Sequence, residues 1–208
     1  YKSLVRRFGG QIIDLSRESK TLINPLDLMG HDYTEKRLSL MDLMPVMLGN
    51  ISEPQKAFLD KALTLAYKKK CITQRPKSWG RKPPILKDLL DSLNKLMSKA
   101  TQIEKSTLRS VINRIDMYVN GVFSFLNKKT NLELNNNLVC FDLGNMPKQV
   151  KPTIMFLVLD YVYTTMKADL NRKILLIDEA WTLLGRTEDA GYILEIVKTC
   201  RKFNMGLL

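Results

Sequence analysis

Lys173 to Leu184 reads KILLIDEAWTLL, an apolar run that passes directly into two adjacent carboxylates and then a tryptophan. Ile174, Leu175, Leu176 and Ile177 are continuously apolar, the pattern of a strand buried on both faces of a parallel sheet. Asp178 and Glu179 stand where that strand runs out, which in an open α/β sheet is the crevice that receives ligands. Taken alone, the same letters also describe a core strand ending in two solvated acids, so the surrounding chain has to decide.

Working outward, LVCFDLG at 138–144 reads as a second buried strand ending in Asp142 and Gly144, and Pro152 opens an apolar helix that runs to about Lys167. Thr187 to Phe203 is expected to form a further helix, and Met205 to Leu208 the start of another strand. Strand, helix, strand, helix, strand is the signature of a parallel sheet, so Val139 to Phe141 and Ile174 to Ile177 are expected in one sheet, the latter as a central strand. From Gly9 to Leu28 short apolar pairs alternate with turn residues. That stretch reads as two short strands or a strand and an extended loop, with no helix before about residue 32. Met-rich residues 31–50 read as one helix.

At Ser52 the character changes. A capping Ser, Pro54 and Gln55 three residues after the cap make a helix start, and Phe58, Leu59, Ala62, Leu63, Leu65 and Ala66 supply its stripe. Leu86, Leu89, Leu90, Leu93, Leu96 and Met97 repeat the helical period after a loop holding Trp79. A third helix carries Leu108, Val111, Ile112, Ile115, Val119, Val122, Phe123 and Leu126. The expected organisation is an α/β domain built from 1–52 and 131–208, with an all-helical unit, 53–130, inserted in it.

Composition narrows the chemistry. At 208 residues the chain can bury a substantial core, and its longest apolar stretch, Ile154 to Leu159, is far short of a membrane span. No signal peptide is visible at the start. Cys71, Cys140 and Cys200 are scattered without CxxC spacing or His partners, which points to reduced thiols and away from a zinc site. His31, the single histidine, sits in a polar loop and is expected to be solvated. The charge is uneven: residues 54–130 hold 17 basic and 5 acidic residues, and the flanking segments are balanced, so the whole net charge of +12 lies in residues 54–130. Lys68, Lys69, Lys70, Arg75, Lys77, Arg81 and Lys82 flank Trp79, a mixture suited to nucleic acid, to an acidic partner or simply to solvent.

If the strand end is a Walker B element, Asp178 holds Mg²⁺, through a water because that ion keeps much of its hydration, and Glu179 polarises the attacking water. No GxxxxGKS/T phosphate loop occurs in the sequence, and the ends of the chain read as those of a piece of a longer protein. These 208 residues by themselves are therefore expected not to hydrolyse ATP.

GGQIIDLSRESKTLINPLDL, the basic helical segment with PPILKDLLDSL, LVCFDLG, KILLIDEAWTLL and CRKFNMGLL follow one another in an order that resembles the C-terminal ATPase domain of the VirB-four (TraC or CagE type) family of conjugation and type IV secretion ATPases. The resemblance spans nearly the whole chain. It implies a RecA-like P-loop NTPase fold of the HerA and FtsK clade, with ATP and Mg²⁺ as cofactors, Asp178 at the metal and Glu179 as the catalytic carboxylate. Arg201, beside Lys202 on the helix after Walker B, matches a basic pair of the family, which implies a role at the triphosphate, in a neighbouring subunit; the alternative is a pair of basic residues favourably placed at a helix C-terminus. Further implications are a homo-oligomer, a hexamer by analogy, peripheral on the cytoplasmic face of the membrane. Its implied partners are secretion-channel and inner-membrane components and a coupling protein, while DNA through residues 54–130 is an option that the basic charge alone offers. The alternative is a DNA-translocating coupling protein or HerA/FtsK-like translocase.

Overall fold

The computed structural model describes residues 2–16, 18–168, 170–178 and 197–208. The chain opens with a short helix, α1 (Lys2–Arg7), that corrects the expectation of none before residue 32. Six residues with one buried position, Val5, are too few to show a helical period. Gly9, at φ 67°, turns the chain, and Gly10 lets it pass close beneath α1. A Cβ on Gly10 would stand 2.7 Å from Val5 Cγ1 and 2.8 Å from Leu138 Cγ, so only glycine fits there.

Strand β1 (Gln11–Asp14) follows and pairs in parallel with β2 (Val139–Asp142), Gln11 opposite Val139 and Asp14 opposite Asp142. The connection between them carries four helices. α2 (Tyr33–Leu48) is capped by Asp32, whose carboxylate accepts from Glu35 N at 2.7 Å. At α3 (Glu53–Lys69) the Gln55 side chain accepts from Ser52 N at 2.9 Å, the reciprocal bond that the Ser-x-x-Gln spacing announces. α4 (Leu86–Met97) and α5 (Gln102–Val119) complete the set. α5 stops earlier than its apolar stripe suggests. Asn120 and Gly121 end it, Val122 is left 64% exposed, and Ser124–Leu126 form a separate 3₁₀ turn. A Cβ at Gly121 would lie 2.8 Å from the Met117 carbonyl oxygen, the close approach of a helix C-terminus.

The three helices of the basic segment pack on one another as their stripes require. Leu59 and Leu63 of α3, Leu86, Leu89 and Leu93 of α4, and Leu108 and Ile115 of α5 are fully buried. Each such side chain contributes about 2 kcal/mol of burial. The same core continues through α2 to Ile13 and Leu15 at one end and to Ile154 and Leu157 of α6 (Lys151–Ala168) at the other. Tyr67 is inside it, and its hydroxyl donates to the Leu26 carbonyl at 2.7 Å, which anchors α3 to the loop after β1.

A second, smaller cluster lies against the other side of α6. Met155, Leu159, Tyr163 and Met166 meet Cys200 and Met205, with Leu175 and Ile177 packed on them. Here β3 (Lys173–Leu175) pairs in parallel with β4 (Met205–Leu207), and the ladder continues from Leu208 N to Leu175 O and from Ile177 N to Leu208 O, both 3.0 Å.

Two expectations about this strand are corrected. Among the described residues the strands form two two-stranded parallel sheets, β1 with β2 and β3 with β4, so β3 is not hydrogen-bonded to the strand of Val139 to Phe141. Nor is β3 buried on both faces. Leu175 and Ile177 turn toward α6, while Ile174 and Leu176 are 75% and 55% exposed. Successive side chains of a strand point to opposite faces, and an unbroken apolar run cannot say that only one of those faces is covered.

Candidate functional site

Asp14, Asp142 and Asp178 each stand where a parallel strand runs out at its carboxyl end. Asp14 Oδ1 accepts from Ser16 N at 2.8 Å, and Ser16 holds its carboxyl below the usual carboxylate range. Asp142 is ion-paired with Lys2 of α1 and accepts from Gly144 N at 3.2 Å. Asp178 differs in that it is exposed, one residue beyond Ile177, which still bonds to Leu208. The strand thus carries Asp178 to the edge of the β3–β4 pair, as the sequence pattern requires. Glu179 and Trp181 lie outside the described residues.

Arg201 and Lys202 are exposed on a 3₁₀ turn (Cys200–Phe203) that enters β4 through Asn204 in the left-handed conformation, φ 54°. The helix expected from Thr187 to Phe203 is present at 197–199 and tightens into that turn, and residues 187–196 lie outside the described ones. β3 and β4 are neighbours, so the strand bearing Asp178 and the turn bearing Arg201 belong to one small sheet unit. Arg201 is at its amino end and Asp178 at its carboxyl end. The two residues therefore lie at opposite ends of this parallel pair.

A single exposed carboxylate suits Mg²⁺, which keeps several waters and takes one or two carboxylates together with substrate phosphates. It does not suit zinc, and no group of three or more His, Cys, Asp or Glu able to hold a metal occurs among the described residues.

The sequence reading passed over one buried polar cluster. Asp160, in the middle of α6, is 2% exposed, and its Oδ2 lies 3.2 Å from Lys36 Nζ, itself 1% exposed on α2. His31 Nε2 is 3.0 Å from the same oxygen and 2.7 Å from Thr164 Oγ1, and Ser39 Oγ donates to Asp160 Oδ1 at 2.9 Å. Burial alone would push the Asp160 carboxyl up. The hydrogen bond from His31, the Lys36 charge and the Ser39 hydroxyl outweigh that and hold it well below the usual carboxylate range. His31 is therefore buried and bonded, a correction to its reading as a solvated loop residue. The available signal was Asp160 itself, a charge set in an apolar helix that needs a buried partner.

The basic cluster around Trp79 is also more structured than its letters suggest. Lys70 is engaged by Asp88 at 3.0 Å, Arg81 Nη1 donates to the Cys71 carbonyl at 3.0 Å, and Trp79 Nε1 donates to the Thr73 carbonyl at 3.0 Å.

Parallel strands with acids at their carboxyl ends, two of them joined through a helical insertion, are the layout of a ligand-binding α/β domain. The sequence matches the TraG P-loop domain family over residues 1–207, and the chain belongs to that family. Its fold is similar to that of VirB4 of Thermoanaerobacter pseudethanolicus, with a TM-score of 0.86 at 24% identity, covering 100% of this chain and 82% of that one. Among curated proteins none matches the sequence.

Proposed function

We propose that this domain couples ATP hydrolysis at the carboxyl end of β3 to assembly of, or transport through, a type IV secretion or conjugation channel. The observation that carries the site is the exposed Asp178 at the end of a parallel strand whose other face is locked to α6, in a chain of the TraG P-loop family. When bound, Mg²⁺ supplies charge stabilisation to the transferring phosphoryl group. Asp178 holds it through water. Glu179, next in the chain, accepts the proton of the attacking water, and Arg201 offset at the other end of the sheet unit reaches the triphosphate of a neighbouring copy. That reading makes the working form a homo-oligomeric ring. It also needs a phosphate loop, since none is present in these 208 residues. No helix among the described residues is long and apolar enough to cross a membrane. Association with the cytoplasmic face would then run through inner-membrane and channel partners.

The test is ATP hydrolysis against Mg²⁺ concentration in a polypeptide that joins this domain to a phosphate loop. Asp178→Asn should lower turnover about a hundredfold and raise the Mg²⁺ needed for what remains. An unchanged Mg²⁺ dependence would remove Asp178 from the metal site. Mixing Arg201→Ala subunits with Glu179→Gln subunits tests the trans role, because hybrid rings regain turnover only if the two residues act across an interface.

A further inference from the structure

A surface groove of about 450 Å³ lies between the start of α2, the second half of α3 and the loop after it, lined by Tyr33, Thr64, Lys68, Ile72, Gln74 and Arg75. Its volume is within the range of specific ligand and side-chain sites. The loop that forms one wall is held by its own hydrogen bonds. Ile72 N donates to the Tyr67 carbonyl at 3.0 Å, Thr73 N to Ser78 Oγ at 3.0 Å, and Ser78 Oγ to the Arg75 carbonyl at 2.7 Å. Trp79 and Arg81 close it onto Thr73 and Cys71. The groove is thus fixed in shape before any partner arrives, which lowers the ordering cost of binding.

Its rim is cationic. Lys68, Lys69, Arg75 and Lys77 are exposed, and among the described residues none of them is in an ion pair, whereas nearby Lys70 and Arg37 are engaged by Asp88 and Asp60. Two classes of macromolecule bring complementary charge, and the aromatic side chains discriminate between them. Single-stranded nucleic acid is gripped by rings that offer a free face to bases. Here the Tyr33 ring meets the edge of Tyr67 at 5.5 Å and carries the Arg37 guanidinium 5.8 Å from its centre, and Trp79 is fastened into the loop through its Nε1. Tyr33 is built into the groove and Trp79 braces the loop beside it, so neither ring is set out along the groove as a stacking platform. What remains is a short open groove with a mostly apolar lining and free cations at its edge.

We propose that this groove docks an acidic segment of a protein partner, a short peptide that sets one apolar side chain between Tyr33 and Ile72 and its carboxylates against Lys68 and Arg75. The inference goes beyond the ATPase reading and stands without it. Complementary charge of this kind steers encounter, and the slot supplies the position.

The experiment is a fluorescence-anisotropy titration of the 208-residue chain at low salt. The probes are a labelled peptide of aspartates and glutamates around a central leucine, its amide counterpart, and a mixed-sequence single-stranded oligonucleotide. The acidic peptide should bind and the amide peptide should not. Lys68→Glu with Arg75→Glu should weaken binding about tenfold or more. Gln74→Trp, which fills the groove without changing charge, should weaken it several-fold. Reversing Lys95, exposed in the last turn of α4, and Lys99, exposed just beyond that helix, both outside the groove, should leave it unchanged. Melting curves confirm that each variant is folded. Absence of peptide binding, insensitivity to Gln74→Trp, or an equal loss on reversing Lys95 and Lys99 would overturn the proposal. So would tighter binding of the oligonucleotide that disappears with Lys68 and Arg75, which would make the surface a nucleic-acid site.

Discussion

The helical body around α3, α4 and α5 and the small β3–β4 unit use apolar residues in opposite ways. In the body, leucines of three helices face one another and are fully buried, and the caps at Ser52 and Thr101 follow local sequence rules. In the β3–β4 unit only alternate residues are covered, by α6, while Ile174, Leu176 and Leu208 stay largely exposed. Among the described residues burial is concentrated in the part of the chain with no assigned chemistry, and the carboxylate of the candidate site stands on the smaller cluster. The two regions meet on α6, which contributes Ile154 and Leu157 to one cluster and Leu159 and Tyr163 to the other. Asp160 sits between them and ties that helix to Lys36 and His31 of the α2 region.

That junction should give the largest effect on folding. Lys36→Met leaves Asp160 buried without its main cation, and the cost should be about 3 to 5 kcal/mol by chemical denaturation. Adding Asp160→Leu should recover most of it, since replacing a buried pair by apolar groups is far less costly than breaking it. A small loss for the single variant would mean that α6 is held by its apolar contacts alone.

The body and the β3–β4 unit can then be compared directly. Leu63→Ala should destabilise by about 2 to 5 kcal/mol, because it opens a cavity at a fully buried site. Ile174→Ala, on the open face of β3, should stay within about 0.5 kcal/mol. Similar losses at the two positions would erase the contrast between the regions.

A smaller effect is expected from acid. The Asp160 carboxyl is held below its unfolded value, so its contribution is complete above about pH 4 and is lost as the pH falls from there toward the folded value. Glu35, whose Oε2 lies 3.8 Å from His31 Nδ1, is the other carboxylate facing this cluster. Melting temperatures followed from neutral pH downward should decline more steeply in the native chain than in the Lys36→Met/Asp160→Leu pair. Parallel curves would assign the acid sensitivity elsewhere. Gln55→Ala should cost about 1 kcal/mol for the lost cap bond, read as a lowered melting temperature.

Legibility in the sequence followed the same division. The helices of the body were readable because cap residues and a 3.6-residue stripe are local, and only the stop at Asn120 and Gly121 was misplaced. β2, α6, β3 and β4 were readable in order and type, and Asp178 was placed at its strand end. The partner of β3 and its half-exposed state were not, because ILLI carries no record of which face a distant helix covers. His31 was misread for a related reason: its partners, Asp160 and Thr164, are more than a hundred residues away. Lys36 and Asp160 could have been matched as two charges on otherwise apolar helices. Nothing in the letters around Trp79 showed that the ring is spent on the Thr73 carbonyl.

The proposal that ATP is hydrolysed at the end of β3 is tested most directly by Glu179→Gln in a polypeptide that joins this domain to a phosphate loop. The amide keeps the size and hydrogen bonding of the carboxylate but cannot accept a proton. Steady-state turnover should fall by about a hundredfold or more while nucleotide affinity, measured in parallel, stays largely intact. Hydrolysis by the variant at the full rate would contradict the account.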